Sequence, residues 1–248
     1  MDDVLERLGL SAAMPPPEVH AMAHGPQAAG GDPWLADAVV HAAAETGYTI
    51  PDGGTVLDFG CSSGRVLRAI AAARDDVRCL GCDPNRPAIE WAQKHLPMAE
   101  FFVSPQRPPL DLAYGELDFV YAVSIWSHFN RAPALDWLAE MHRLIRPDGR
   151  LVLTTHGLTS IAKTRSVDEL SEGSATEATA ELVRSGFHFI DVFGDEGDWG
   201  VRDPEWGNAY FTLDWLSEHM TPGWSIRLFR PGGLDGNQDL IVLGREDL

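Results

Sequence analysis

Positive charge is scarce in this chain of 248 residues: 19 Lys and Arg stand against 37 Asp and Glu, giving a net charge of −18 and a pI near 4.7. Nucleic-acid binding draws its affinity from clustered cations that release counterions, so this balance weighs against a duplex or RNA partner and against an anionic membrane surface. Cysteine is scarce too. Cys61, Cys79 and Cys82 are too few and too clustered for a disulfide framework, and their odd number leaves a thiol free, which fits a reducing cytoplasm. Long apolar runs are missing, and the acidic start Met1-Asp2-Asp3-Val4-Leu5-Glu6-Arg7 lacks the positive-then-apolar pattern of a signal peptide. A cytoplasmic, unexported protein is therefore expected. What is present, 44% hydrophobic and 23% charged residues, is ordinary globular composition that excludes disorder throughout and a fibrous fold.

Residues 1–31 are rich in Ala, Pro and Gly and read as a flexible N-terminal extension. Asp32-Pro33 then forms a cap and first-turn pair, with Leu35, Val39 and Ala42/Ala43 on one face of a helix that Gly47 ends. From Thr55 short apolar runs of strand length alternate with helical segments. The strands are Val56 to Phe59, Val77 to Cys82, Phe101 to Val103, Phe119 to Val123 and Leu151 to Thr155; the helices are Arg65 to Ala73, Arg86 to His95 and Pro133 to Ile145. Such alternation predicts an α/β fold with a doubly wound, mostly parallel sheet covered on both faces. Trp224 to Leu228 and Leu240 to Leu243, joined by a Pro/Gly/Asn turn, add a C-terminal antiparallel hairpin, for seven strands in all. Residues 32–248 are read as the main domain. Within it, an insertion at about 157–215 carries one expected helix, Val167 to Ser185, and a dense group of aromatics.

One stretch carries the chemistry. Val56-Leu57-Asp58-Phe59-Gly60-Cys61-Ser62-Ser63-Gly64-Arg65 is a strand entering a tight loop that opens a helix, where Gly60 lets the backbone approach a ligand and free N–H groups favour an anionic end. Asp83 ends the next strand, 19 residues beyond Gly64, where a carboxylate can accept both hydroxyls of a ribose. A dinucleotide fingerprint needs G-x-G-x-x-G, and Gly60, Ser62, Ser63 and Gly64 do not supply it, which leaves a nicotinamide oxidoreductase as a minor alternative.

Together with Cys82-Asp83-Pro84-Asn85, Leu117-Asp118-Phe119-Val120-Tyr121-Ala122-Val123-Ser124 and Glu140-Met141-His142-Arg143-Leu144-Ile145-Arg146-Pro147-Asp148-Gly149-Arg150-Leu151, this loop resembles the class I S-adenosylmethionine-dependent methyltransferases of the type 11/12 small-molecule group. The resemblance covers about residues 50 to 156 and the terminal hairpin. It implies S-adenosyl-L-methionine as cofactor. By the same likeness, the loop from Asp58 to Gly64, with Gly60, Cys61, Ser62 and Ser63, holds the methionine end, Asp83 the ribose, and the segment around Ser104 and Pro105 the adenine, while Arg65, Pro84 and Asn85 are further cofactor contacts. Ser124 and Ile125 would face the sulfonium. Two departures stand out: Ser62 replaces the loop's middle glycine, and Ser104 stands where many relatives place an acid.

A hydroxyl acceptor needs a base, and His128 and His156 both follow strand ends where one could stand. Each has a plain alternative as a histidine that shapes a loop or lines the pocket. Trp126 is a candidate ring for a cation. Trp199, Trp206 and Tyr210 fall among Gly and Asp in loop-like composition and read as an exposed lid over the acceptor. Cys79 and Cys82 point to opposite faces of a strand and read as buried thiols, so no metal is expected. The expectation is a metal-independent transfer of a methyl group to an oxygen of a small molecule, possible sugar and natural-product hydroxyls among them. A nitrogen or carboxylate acceptor is the alternative, and a non-catalytic nucleoside-binding partner protein the different-class one. No nucleic acid or membrane partner is expected.

Overall fold

The computed structural model describes residues 13–16, 19, 31–166, 171–198 and 201–246. Most of the expected N-terminal extension and Trp199 lie outside the described residues. Asp32 caps the first helix, α1 (Pro33–Glu45), its Oδ1 accepting from the Leu35 amide at 2.9 Å with Pro33 in the first turn. There follow β1 (Thr55–Phe59), α2 (Leu67–Ala73), β2 (Arg78–Asp83), α3 (Arg86–His95), β3 (Glu100–Val103), β4 (Leu117–Ala122), α4 (Arg131–Leu144) and β5 (Ile145–Thr155). Helix α2 starts at Leu67 rather than Arg65, because the left-handed turn at Gly64 (φ 80°) delays it. Helix α4 starts two residues before Pro133, where the Asn130 side chain accepts from the Arg131 amide at 2.7 Å.

Beyond β5 come α5 (Leu158–Ser166), α6 (Glu172–Ser185), β6 (Phe187–Ile190), β7 (Asn208–Phe211), α7 (Leu213–His219), β8 (Trp224–Leu234) and β9 (Gln238–Arg245). The expected helix from Val167 begins, in its described part, at Glu172, where Ser171 caps it. Helices α5 and α7 had no sequence counterpart.

Seven strands form one sheet in the order β3-β2-β1-β4-β5-β9-β8. The first five pair in parallel, while β9 runs antiparallel to both β5 and β8. Strand order reverses between β1 and β4, and such a reversal opens a crevice at the carboxyl ends of the strands. Alternation along each strand feeds two cores. On one face Leu57, Phe59, Leu80, Cys82, Val120 and Leu153 pack with Trp137 and Leu138 of α4; on the other Val56, Cys79, Phe119, Tyr121 and Val152 pack with Leu35, Val39 and Ile89. The thiols of Cys79 and Cys82 thus lie on opposite faces, and burial pushes Cys79 up to about 11.

Strands β6 and β7 form a separate antiparallel pair, Phe187 opposite Phe211 and His188 opposite Tyr210. This corrects the exposed aromatic lid. Trp206 and Tyr210 are only 6% and 2% exposed, because the hairpin turns them inward instead of leaving them on a loop surface.

Candidate active site

The crevice at the strand ends is built from the predicted loop. Gly60 adopts φ 83°, and a Cβ there would stand 2.1 Å from Ile125 Cδ1, so only glycine fits under the residue that leaves β4. Ser62 also lies in the left-handed region (φ 48°), which turns its amide onto Asp83 Oδ2 at 2.8 Å. The other Asp83 oxygen accepts from the Asn85 amide at 2.8 Å, and Asn85 caps α3 through Ala88. Asp83 therefore reaches the end of β2 in a fixed orientation. Burial raises its carboxyl to about 6, and the charge of Asp198 acts in the same direction. Asp58 lies buried in β1. Desolvation drives it up to about 7, opposed by the Tyr121 hydroxyl, Arg65 and the Leu67 amide and reinforced by Asp83.

A pocket opens over this loop. Gly60, Asp83, Pro84 and the Ser104–Gln106 segment form one side, Phe59, Ile125, Phe129 and Trp137 the apolar other, and Val201 with Trp206 the roof. Arg107 ties roof to side, holding Asp203 at 2.8 Å and Glu205 at 2.5 Å. Cys61 and Ser63 are buried beneath the loop, and Arg65 turns away to Asp32 at 2.9 Å.

At the ends of β4 and β5 the two candidate histidines come together, ring centroids 6.3 Å apart. His128 Nδ1 lies 2.7 Å from the Gly207 carbonyl. A carbonyl only accepts, so that bond places the proton on Nδ1 and leaves the Nε2 lone pair available. Burial lowers the imidazole's pKa, while the Gly207 bond and Asp198 act against it. His156 differs. Burial takes it down to about 3, with His128 adding to the effect, so it stays neutral and is a poor proton acceptor from a hydroxyl. It packs on the Tyr210 ring at 5.2 Å and meets Gln238 Nε2 at 3.4 Å.

Trp126 is corrected. Its ring is fully buried against Phe59 and Phe129 with Nε1 donating to the Ala134 carbonyl, so it presents no face to a ligand. Trp206 does reach the pocket, 4.8 Å from the His128 ring. Sequence reasoning missed Phe129, Trp137, Val201 and Gln106 in the pocket wall. It also missed Gln238, which with Thr154 and Ser124 (φ 60°) forms a polar link from β9 to the end of β4: Thr154 donates to Gln238 Oε1 at 2.6 Å and Gln238 Nε2 donates to Ser124 Oγ at 2.9 Å. Trp137 is one turn from Ala134 on α4 and reads as core stripe, and Gln238 carries no local signal.

A mostly parallel sheet with this strand order, a glycine-supported loop after β1 and a carboxylate ending β2 are the features of the class I methyltransferase fold. Residues 56–149 match the family model described as a methyltransferase domain. A cyclopropane mycolic acid synthase of Mycobacterium tuberculosis is 28% identical over 121 residues, 47% of this chain and 40% of that protein. An uncharacterized 37.1 kDa protein of a Streptomyces fradiae transposon is 29% identical over 138 residues, 54% of this chain and 39% of that one. The match thus spans about two fifths of these curated relatives. Among solved structures, an S-adenosylmethionine-dependent methyltransferase from Methanosarcina mazei shares the fold at a TM-score of 0.58 and 18% identity, covering 82% of this chain and 97% of that one. Residues 56–149 thus carry a methyltransferase domain, set in a chain with the class I S-adenosylmethionine-dependent methyltransferase fold.

The residues fit that cofactor. Ser62 Oγ is buried in the loop without a hydrogen-bond partner among the described residues, Gly60 keeps the backbone approachable, and Asp83 faces the pocket with spare lone pairs. Among the described residues no helix is long and apolar enough to cross a membrane.

Proposed function

We propose that the chain transfers a methyl group from S-adenosylmethionine to an oxygen of a small-molecule acceptor, with His128 as the general base. When bound, the cofactor supplies a methyl group activated on a sulfonium. Asp58 and the Gly60–Gly64 loop would hold its methionine end, Asp83 the ribose, and Ser104 with Pro105 and Gln106 the base. Residues 157–215, through the β6–β7 pair and the Val201–Trp206 roof, would cover the acceptor and exclude water.

The observation that carries the reading is the His128 tautomer. With Nδ1–H committed to the Gly207 carbonyl, Nε2 is free to take the hydroxyl proton as the acceptor oxygen forms its new bond to the methyl carbon. His156, held neutral by burial, packs beside it. Electrostatics favour neutral or cationic acceptors, since six carboxylates and one Arg lie from Asp191 to Glu205.

His128→Asn tests this, because an amide N–H can keep the bond to Gly207 while the base is lost. Turnover with an acceptor found by screening hydroxyl-bearing small molecules should fall about 10²- to 10⁴-fold, with the affinity for S-adenosylhomocysteine unchanged. Full turnover in the variant would favour a nitrogen or carboxylate acceptor, which needs no base.

A further inference from the structure

One carboxylate beside the roof, Asp198, neither pairs with a cation among the described residues nor is among the groups assigned to binding or proton transfer. Asp198 is fixed twice: its backbone pairs with Val201 in both directions (2.9 and 2.8 Å), and its Oδ2 accepts from Trp206 Nε1 at 3.1 Å. Val201 and Trp206 are the two roof residues of the cofactor pocket. Both anchors of Asp198 therefore line the pocket, and its carboxylate is held against those two residues, next to the pocket wall rather than in it.

Its neighbours are treated differently. Asp203 and Glu205, further along the same segment, share a cationic partner in Arg107. Among the described residues Asp198 has no cationic side chain within ion-pair distance. Its field reaches both ends of the site, raising the pKa of Asp83 on the ribose side and opposing the fall of His128 on the acceptor side. A half-buried carboxylate without a counter-ion, fastened to two residues of a pocket wall, favours a ligand that brings a positive charge into that pocket.

We propose that Asp198 is the charge-discriminating residue of the cofactor pocket: it favours the cationic methyl donor over its neutral demethylated product. The inference rests on S-adenosylmethionine being the cofactor. That molecule carries a sulfonium charge, which disappears on methyl transfer because the sulfur keeps the bonding pair as a thioether. A fixed carboxylate nearby then loses its partner at the moment product forms. The preference lowers product inhibition and promotes exchange. It makes Asp198 a specificity residue and not a catalytic one, since an interaction with the donor's ground-state charge does not by itself speed the chemical step.

The test is calorimetric titration of the full chain with S-adenosylmethionine and with S-adenosylhomocysteine, each alone. In Asp198→Asn the donor should bind about tenfold more weakly while the product binds as in wild type. Asp195→Asn, which removes an exposed acid from the same segment, should leave both affinities unchanged. Equal weakening of both ligands by Asp198→Asn would assign Asp198 only to holding Trp206, and no change in either would assign it to solvent; each overturns the proposal. Should the variant fail to fold, wild type alone decides. An analogue with an ammonium in place of the sulfonium must bind more tightly than the neutral product, and equal affinity overturns the proposal. Wild type that binds neither donor nor product would instead refute the cofactor, a separate failure.

Discussion

Asp58 sits in the strand beneath the cofactor loop with every neighbour on β1 buried as well, and its carboxyl is held near 7 chiefly by the loss of solvent. The folded state therefore keeps a proton that the unfolded chain gives up near 3.8. Between those values the native state binds more protons than the unfolded one, so this group's contribution to stability falls as pH rises from about 4 to 7. Asp58→Asn removes the titration. Its unfolding free energy relative to wild type should improve across that window, by on the order of 4 kcal/mol at most, as read by urea denaturation at several pH values. The same neighbourhood shows what a residue pattern discloses. Gly60 and Asp83 announce themselves by spacing and residue type, and the two lie side by side in the pocket wall at the ends of β1 and β2. Trp126 and His156 do not, because whether a ring faces a cavity or a core depends on residues such as Ala134 and Gln238 that lie outside any local motif.

Among the elements, the parallel strands and their helices were legible because turns mark the strand ends and the Asp32-Pro33 pair marks the first helix, whereas α2, which has no side-chain cap, starts later than its pattern implies. The β6–β7 pair was not. Phe187, Phe189, Tyr210 and Phe211 are separated by a Gly- and Asp-rich stretch with a loop's composition, and only the cross-strand register turns the aromatics inward. That pair carries the roof, and several ties hold it down, among them the Gly207 amide to the His128 carbonyl (2.9 Å), the Asn130 amide to the Glu205 carbonyl (2.9 Å), His128 Nδ1 to the Gly207 carbonyl (2.7 Å), and Arg107 to the two carboxylates. The first two are backbone bonds, so the Arg107 clasp is a tie that mutation reaches without touching His128. Arg107→Ala leaves Asp203 half-stripped of water and unpaired, and should speed release of S-adenosylhomocysteine several-fold, measured by stopped-flow displacement. An unchanged release rate would mean that the backbone ties suffice.

At the scale of the whole molecule, fold and ligand are coupled by mass action. S-adenosylhomocysteine at 100 times its Kd should add about 2.7 kcal/mol to unfolding stability, visible as a rise in Tm, whereas NAD at the same concentration should leave Tm unchanged. The net charge of −18 that argued against polyanionic partners also gains a local meaning, since part of it is gathered in the roof over the pocket. The link from β9 to the end of β4 has a kinetic consequence. Ser124 and Gln238, which hold each other beside His156, are 114 positions apart in sequence, and β9 joins the sheet only by pairing with β5. Contacts of such separation form late, after the loop between them has closed. Competence of the site then coincides with completion of the sheet: a chain whose first five strands have assembled, but whose hairpin has not docked, could already hold the loop of Gly60 and yet lack the ordered floor beneath its histidines.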